Sequence, residues 1–249
     1  MPITSLKDAL KAIAQSLQLS SVIPSFLIVL ITGFLFLPTF FPHPTRWSIE
    51  NQFLDTILVF SIITISYLFY AFNFLLIRLF EGFLPENNIL FSHLFEWLKQ
   101  KNIEDFNYHK SLLNSEDRLI KTKAQRYLSN YYPSDPAYIL PTRLGNVLAA
   151  FEDYPVTRYD INAISLWPRM IPLLQENKFI ENVSNNKATF DLLLNLIVAS
   201  VIVFFELFYI CLYKHEILYL ISSIIISPFL LFYLYKGLIH AATAWGLTV

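Results

Sequence analysis

Cysteine, glycine and charge are all scarce in this 249-residue chain, and each shortage excludes a class of protein. A single cysteine, Cys211, rules out a disulfide-stapled secreted fold. The five glycines, Gly33, Gly82, Gly145, Gly237 and Gly246, lie too far apart to build a Gly-rich phosphate loop. Only 15% of residues are charged, against about 25% in soluble domains. A net charge of −1 gives no bulk electrostatic case for binding nucleic acid. His43, His93, His109, His215 and His240 are scattered without ligand spacing, so no metal site is expected. Neither a G-x-S-x-G nor an H-E-x-x-H pattern occurs. No cofactor and no catalytic residue are therefore assigned.

What the chain has is apolar length. Hydrophobic residues make up 55% of it, and they are concentrated in four runs. These are 22–41, 57–77, 192–212 and 217–235, and Glu206 is the one charge among them. Each approaches or exceeds the ~20 residues that a membrane-spanning helix needs, and each is apolar all the way round. The first run leads into Phe40-Phe41-Pro42 without a small-x-small cleavage pattern, so it is expected to stay as a signal anchor.

Lysine and arginine counts orient the spans. The N-terminal tail, the segment between spans two and three, and the C-terminus share 16 of the 18 basic residues; Arg46 and Lys214 lie on the other side. This predicts an inner (plasma) membrane protein with both termini in the cytoplasm. Trp47, Tyr209, Tyr213, Tyr219, Tyr233, Tyr235 and Trp245 lie at the expected headgroup levels.

The expected architecture is all-α. It has an amphipathic tail (1–21), a transmembrane hairpin (22–79), a helical cytoplasmic domain (80–190), and a second transmembrane hairpin with a short C-terminal tail (191–249). In the tail, Leu6, Leu10, Ile13, Ala14 and Leu17 share one helical face. That face fits either the inner leaflet or the cytoplasmic domain. In the domain, Leu144, Val147, Leu148 and Phe151 form a helical stripe after Pro141-Thr142. Asp160 is placed to cap a helix over 161–167, and Pro168 and Pro172 break the chain after it. Arg118, Lys121, Lys123 and Arg126 form the solvated face of a helix whose other face holds Ile120, Ala124, Tyr127, Leu128 and Tyr131.

Polar residues inside the spans are the first candidate site: Glu206, Ser222, Ser223, Asn73 and Asn195. Glu206 lies about 9 Å inside span three, level with Ser222 and Ser223 across a tight hairpin, with Lys214 or His215 within snorkelling reach. Asn73 and Asn195 share a depth. The stripes Ser66–Tyr70–Asn73 and Asn195–Ala199–Ile202–Glu206 suggest that spans two and three face each other. Such groups serve as helix–helix contacts or as a path for an ion or proton.

The second candidate is cytoplasmic: Arg143, Asp153, Arg158, Tyr159, Asp160, Trp167 and Arg169, with Arg143 placed to reach Glu152 or Asp153 and the others gathered around a turn at Pro155. They read as caps and ion pairs or, in an enzyme, as acid, base and anion clamp. The order Leu140-Pro-Thr-Arg-Leu-Gly-Asn146, Arg158-Tyr159, Leu166-Trp-Pro-Arg169 resembles the P-T-R-L-G-N…R-Y…L-W-P-R signature of a family of uncharacterised bacterial multi-span membrane proteins. The resemblance implies a bacterial origin and a shared cytoplasmic-plus-membrane architecture, and that Val249 need not be the natural end. It carries no activity.

The leading expectation is a non-enzymatic membrane scaffold or effector module. Its partners would be the lipid bilayer and either a second copy of itself, as a homo-oligomer, or a cytoplasmic protein. An oligomeric ion channel or transporter using Glu206 is the first alternative. An inner-leaflet enzyme using Arg143, Asp153, Arg158 and Asp160 is the second.

Overall fold

The computed structural model describes residues 19–33, 51–83, 89–160, 178–214 and 222–248. Among these the chain is helical and forms no strand. Its helices are α1 (Leu19–Ile31), α2 (Asn51–Glu81), α3 (Ile89–Ser111), α4 (Arg118–Tyr131), α5 (Arg143–Tyr159), α6 (Lys178–Lys214) and α7 (Ser227–Gly246). Short 3₁₀ turns at Leu112–Asn114 and Pro136–Tyr138 join α3 to α4 and α4 to α5, and a π turn at Ser222–Ile226 precedes α7.

Among the described residues, three helical segments are long and apolar enough to cross a membrane: Thr56–Glu81, Phe179–Lys214 and Ser223–Gly246. Length and composition thus mark a multi-pass membrane protein. Large apolar side chains such as Phe60, Phe74 and Phe229 are left uncovered by protein, as on helices that face lipid. The expected spans 57–77 and 192–212 and residues 223–235 of the last one fall on these helices, but the helices run further. α6 begins at Lys178, ahead of the expected domain boundary, and α7 continues through Lys236 to Gly246. The short C-terminal tail is therefore mostly helix, because residues 236–246 hold good helix formers and no proline. Of the expected first span, residues 22–33 are helical, the helix starting at Leu19, and residues 34–41 lie outside the described residues. The amphipathic tail up to residue 18, the segment 161–177 and the hairpin connection 215–221 also lie outside them.

The contacts divide the chain into two compact units. The bundle unit comprises Met1–Asn73 and Ala188–Gly237, and the second unit comprises Phe74–Lys187 and Leu238–Val249.

In the second unit, α3, α4 and the 3₁₀ turns pack around Phe106, Tyr132 and Ile139. Asp117 caps α4, accepting from the Leu119 N–H. Ala124 is buried, and Tyr127, Leu128 and Tyr131 pack on the small core as the helical pattern requires; Ile120 instead remains exposed. Leu144, Val147 and Leu148 are buried along α5, so the stripe identified in the sequence is the packed face of that helix.

Two local expectations are corrected. Pro155 lies within α5 rather than at a turn. A proline this close to the C-terminus removes a single ladder bond, and its fixed φ suits a helix. Asp160 is not an N-cap. It ends α5 in the left-handed conformation at φ 55°, its N–H bonded back to the Pro155 and Val156 carbonyls. Aspartate tolerates that conformation better than most residues, so the same side chain suits either end of a helix.

Candidate functional site

The bundle unit gives Asn73, Asn195 and Glu206 each a specific partner. Pro24 lies inside α1 and has no N–H to offer the Ser20 carbonyl one turn earlier. Asn195 of α6 fills that place, its Nδ2 donating to the Ser20 carbonyl at 3.0 Å in a fully buried contact. Eleven residues further along α6, Glu206 Oε1 accepts from Thr32 Oγ1, just past α1, at 2.6 Å. Both helices advance in the same direction between these two contacts. They therefore run parallel for about 17 Å. Ser21 and Ser25 are buried on the same short helix, and Ser25 Oγ donates to the Ser21 carbonyl, so small side chains let α1 approach its neighbours closely.

Among the described residues, the partner found for Glu206 is Thr32. The hydroxyl comes from Thr32; Ser223 is buried, and the Ser222 side chain and His215 lie outside the described residues. The contact is made by α1, whose register relative to α6 cannot be counted from the hairpin between adjacent spans.

Asn73 does not pair with Asn195. Its Nδ2 donates to Asp191 Oδ1 at 3.0 Å, one turn before Asn195 on α6. α2 and α6 do meet there, but Tyr70 and Ile202 are exposed, so the two stripes are not a continuous interface. Asp191 was missed because the expected span began one residue after it. Three buried acceptor atoms, Asn73 Oδ1, Asn195 Oδ1 and Glu206 Oε2, have no hydrogen-bond partner among the described residues.

In the second unit, the N-terminus of α5 docks on the C-terminus of α2. α2 ends at Gly82 with φ 98°, where the Gly82 N–H bonds to the Leu79 carbonyl and the Phe83 N–H to the Arg78 carbonyl. This is a Schellman arrangement, which glycine adopts without a Cβ penalty. Arg78 then lies 4.4 Å over the Phe83 ring and pairs with Glu81 at 3.1 Å. Thr142 Oγ1 accepts from the Gly145 N–H at 2.9 Å, capping α5, and donates to the Phe80 carbonyl at 2.7 Å. Gly145 has no room for a side chain, since a Cβ there would come within 2.3 Å of the Glu81 carbonyl oxygen.

Asn146 of the signature serves the same joint. Asn146 is fully buried; its Oδ1 accepts from the Leu140 N–H at 2.6 Å and its Nδ2 donates to the Leu140 carbonyl at 3.0 Å. Asn102 of α3 donates to the Leu140 and Pro141 carbonyls. Arg143 does not reach Glu152 or Asp153. It donates to the Tyr127 hydroxyl and stacks over Tyr127 and Tyr131, because it stands at the opposite end of α5 from those carboxylates.

Asp153 accepts from the Ser134 N–H at 2.9 Å and from Thr157 at 3.1 Å. Desolvation alone would raise its carboxyl, but the Ser134 and Thr157 hydrogen bonds outweigh it and hold the group below the ordinary range. Arg158 and Tyr159 are exposed on the last turn of α5, and Tyr159 meets the Tyr154 ring edge-on. Trp167 and Arg169 lie outside the described residues. The expected cluster is therefore not gathered at one point in the described part of the unit.

Sequence reading missed a network centred on Asp105 of α3. Its Oδ2 accepts from the Tyr127 and Tyr132 hydroxyls at 2.9 and 2.7 Å, and the His109 ring stacks on Tyr127 with centroids 3.8 Å apart. Burial first, and the Asp105 hydrogen bond after it, push the Tyr127 hydroxyl up to about 12 against the opposing pull of Arg143. Burial and Asp105 also raise Tyr132. Both tyrosines stay protonated as donors. The spacing of Asp105 and His109 on one helical face was the available signal.

A cleft of about 410 Å³ opens beside the α2–α5 joint, lined by Arg78, Glu81 and Phe83, by Lys99 of α3, and by Glu152 and Asp153 of α5. Among the described residues, no group of three or more His, Cys, Asp or Glu side chains forms a metal site. Comparison of the chain with protein-family models, with curated proteins and with solved structures returns no match.

Proposed function

We infer that the chain is a non-enzymatic scaffold or effector module of a bacterial inner membrane. In this reading it crosses the bilayer four times, with both termini and the segment between spans two and three in the cytoplasm. Partner contacts fall to that segment, through a second copy of the chain or another cytoplasmic protein. The parallel course of α1 and α6 supports the four-span topology, because the first and third spans of such a chain run in the same direction.

One observation carries the scaffold reading over the channel: Glu206 is bonded to Thr32 of its own chain. Through its Oε1 the carboxyl holds two helices of one chain together, a structural role that needs no pathway, and one hydrogen-bonded contact of this kind is worth about 0.6–2 kcal/mol. Conduction needs sites that an ion can both reach and leave.

The test is ion and proton flux in proteoliposomes holding the full chain or Glu206→Gln, with assembly followed by size-exclusion chromatography. The reading expects flux equal to that of empty vesicles for both proteins and an unchanged assembly. A flux present in the parent chain and abolished by Glu206→Gln, with assembly intact, would establish the channel instead.

A further inference from the structure

We propose that the cleft beside the end of α2 holds the headgroup of a phospholipid carrying both a phosphate and a primary ammonium. The inference rests on the membrane reading but not on the scaffold role.

Depth is the first argument. The uncharged run 57–77 is about 31 Å long as a helix, which matches the hydrocarbon thickness of a bilayer. Arg78 is the first charge beyond it, and the cleft is built on Arg78 and Glu81. A pocket at that position opens among lipid headgroups.

Charge is the second argument. The walls carry both signs: Arg78 and Lys99, against Glu81, Glu152 and Asp153. Arg78 and Glu81 neutralise each other, and Asp153 is engaged by Ser134 and Thr157. Lys99 and Glu152 line the same cleft, yet form no ion pair with each other or with another described residue. A cation and a carboxylate that have no ion-pair partner among the described residues, both lining a space of about 410 Å³, complement a zwitterion, phosphate toward Lys99 and ammonium toward Glu152. The environment of Glu152 agrees. Partial desolvation first, and then Glu81, raise its carboxyl above the ordinary range against the opposing pull of Arg78, so a further cation at the site is favoured.

Chemistry sets the selectivity. A primary ammonium offers three hydrogen-bond donors to a carboxylate, while a trimethylated headgroup offers none. A headgroup with phosphate and no cation engages Lys99 alone. Phe83 and the apolar remainder of the wall suit the glycerol and upper acyl region.

The experiment delipidates the full chain in detergent and measures the binding of phosphatidylethanolamine, phosphatidylcholine and phosphatidylglycerol by native mass spectrometry. It compares the parent with Glu152→Gln and Lys99→Gln, and folding of each is checked by circular dichroism. The expected result is a preference of about tenfold for phosphatidylethanolamine over phosphatidylcholine. Glu152→Gln should abolish that preference, and Lys99→Gln should weaken phosphatidylethanolamine and phosphatidylglycerol together. Equal retention of the three lipids, or a preference unchanged in Glu152→Gln, would overturn the proposal. So would full displacement of the lipid by soluble phosphoethanolamine at equal concentration, which would make the ligand a free metabolite. Membrane integration is read separately, by resistance of the chain to alkaline extraction, so failure of the membrane reading is distinguishable from failure of the site.

Discussion

The Thr142 hydroxyl donates to the Phe80 carbonyl at 2.7 Å while accepting from the Gly145 N–H at 2.9 Å, so one side chain closes the end of α2 and opens α5. Two helix termini with unsatisfied backbone groups are thereby completed together: a late carbonyl of α2 gains a donor and an early N–H of α5 gains an acceptor. The last turn of α2 and the first turn of α5 are in this way fastened together.

Replacing Thr142 with valine keeps the shape and removes both bonds. We expect a loss of about 1–3 kcal/mol, combining a lost cap with a buried carbonyl left without its donor. Thr142→Ser should retain most of the stability. Thermal unfolding of the three purified proteins measures the difference.

Gly145→Ala tests the close approach. Its Cβ would meet the Glu81 backbone oxygen at 2.3 Å, and backbone cannot yield as a side-chain tip can. A cost of about 1–3 kcal/mol is expected from this overpacking. Gly237→Ala is the control. Its nearest neighbour is a Leu193 methyl at 3.6 Å, an ordinary contact, so this substitution should be neutral or mildly stabilising in α7. Equal melting temperatures for the two variants would refute the joint as described.

Asp153 and Glu152 make opposite contributions to the pH dependence of stability. The Asp153 carboxyl is held low in the fold. Its stabilisation is present above the unfolded value near ~3.9 and disappears as pH falls through the folded value. The Glu152 carboxyl is raised. Its contribution is present below the unfolded value near ~4.3 and is lost as pH rises through the folded one. Melting temperature followed across the acid range should therefore fall less steeply at low pH in Asp153→Asn. Glu152→Gln should be at least as stable as the parent at neutral pH.

Asn195 and Pro24 are coupled through a carbonyl that neither owns. With proline at 24, the Ser20 oxygen depends on Asn195 Nδ2. Asn195→Leu should cost about 1–2 kcal/mol. In a Pro24→Ala background the helix can supply its own N–H, and the same substitution should cost less. A double-mutant cycle on thermal stability in detergent reads this compensation.

The sequence is most informative where a single helix decides the outcome. Long uncharged runs mark α2, α6 and α7, and the period of Leu144, Val147 and Leu148 marks the packed face of α5. Partners across elements are harder to read. Glu206, Asn73 and Asn195 were identified as polar residues needing contacts. Thr32, Asp191 and the Ser20 carbonyl were not, because each contact depends on the register between distant helices. The signature behaves in the same way. Thr142 and Gly145 read locally as a helix start and a site of close packing, while the carbonyls of Phe80 and Glu81 that they meet lie more than sixty residues away in sequence. Arg143 was assigned to carboxylates on its own helix, yet it serves Tyr127 of α4. Asp160 misled because aspartate favours both an N-cap and a left-handed C-cap.

The account rests most heavily on Glu206 being a helix–helix contact to Thr32. A double-mutant cycle of Thr32→Val and Glu206→Met, read by the thermal stability of the purified full chain, tests this directly. The account predicts a coupling of about 0.6–2 kcal/mol between the two sites. Additive effects, agreeing to within about 0.3–0.5 kcal/mol, would contradict it.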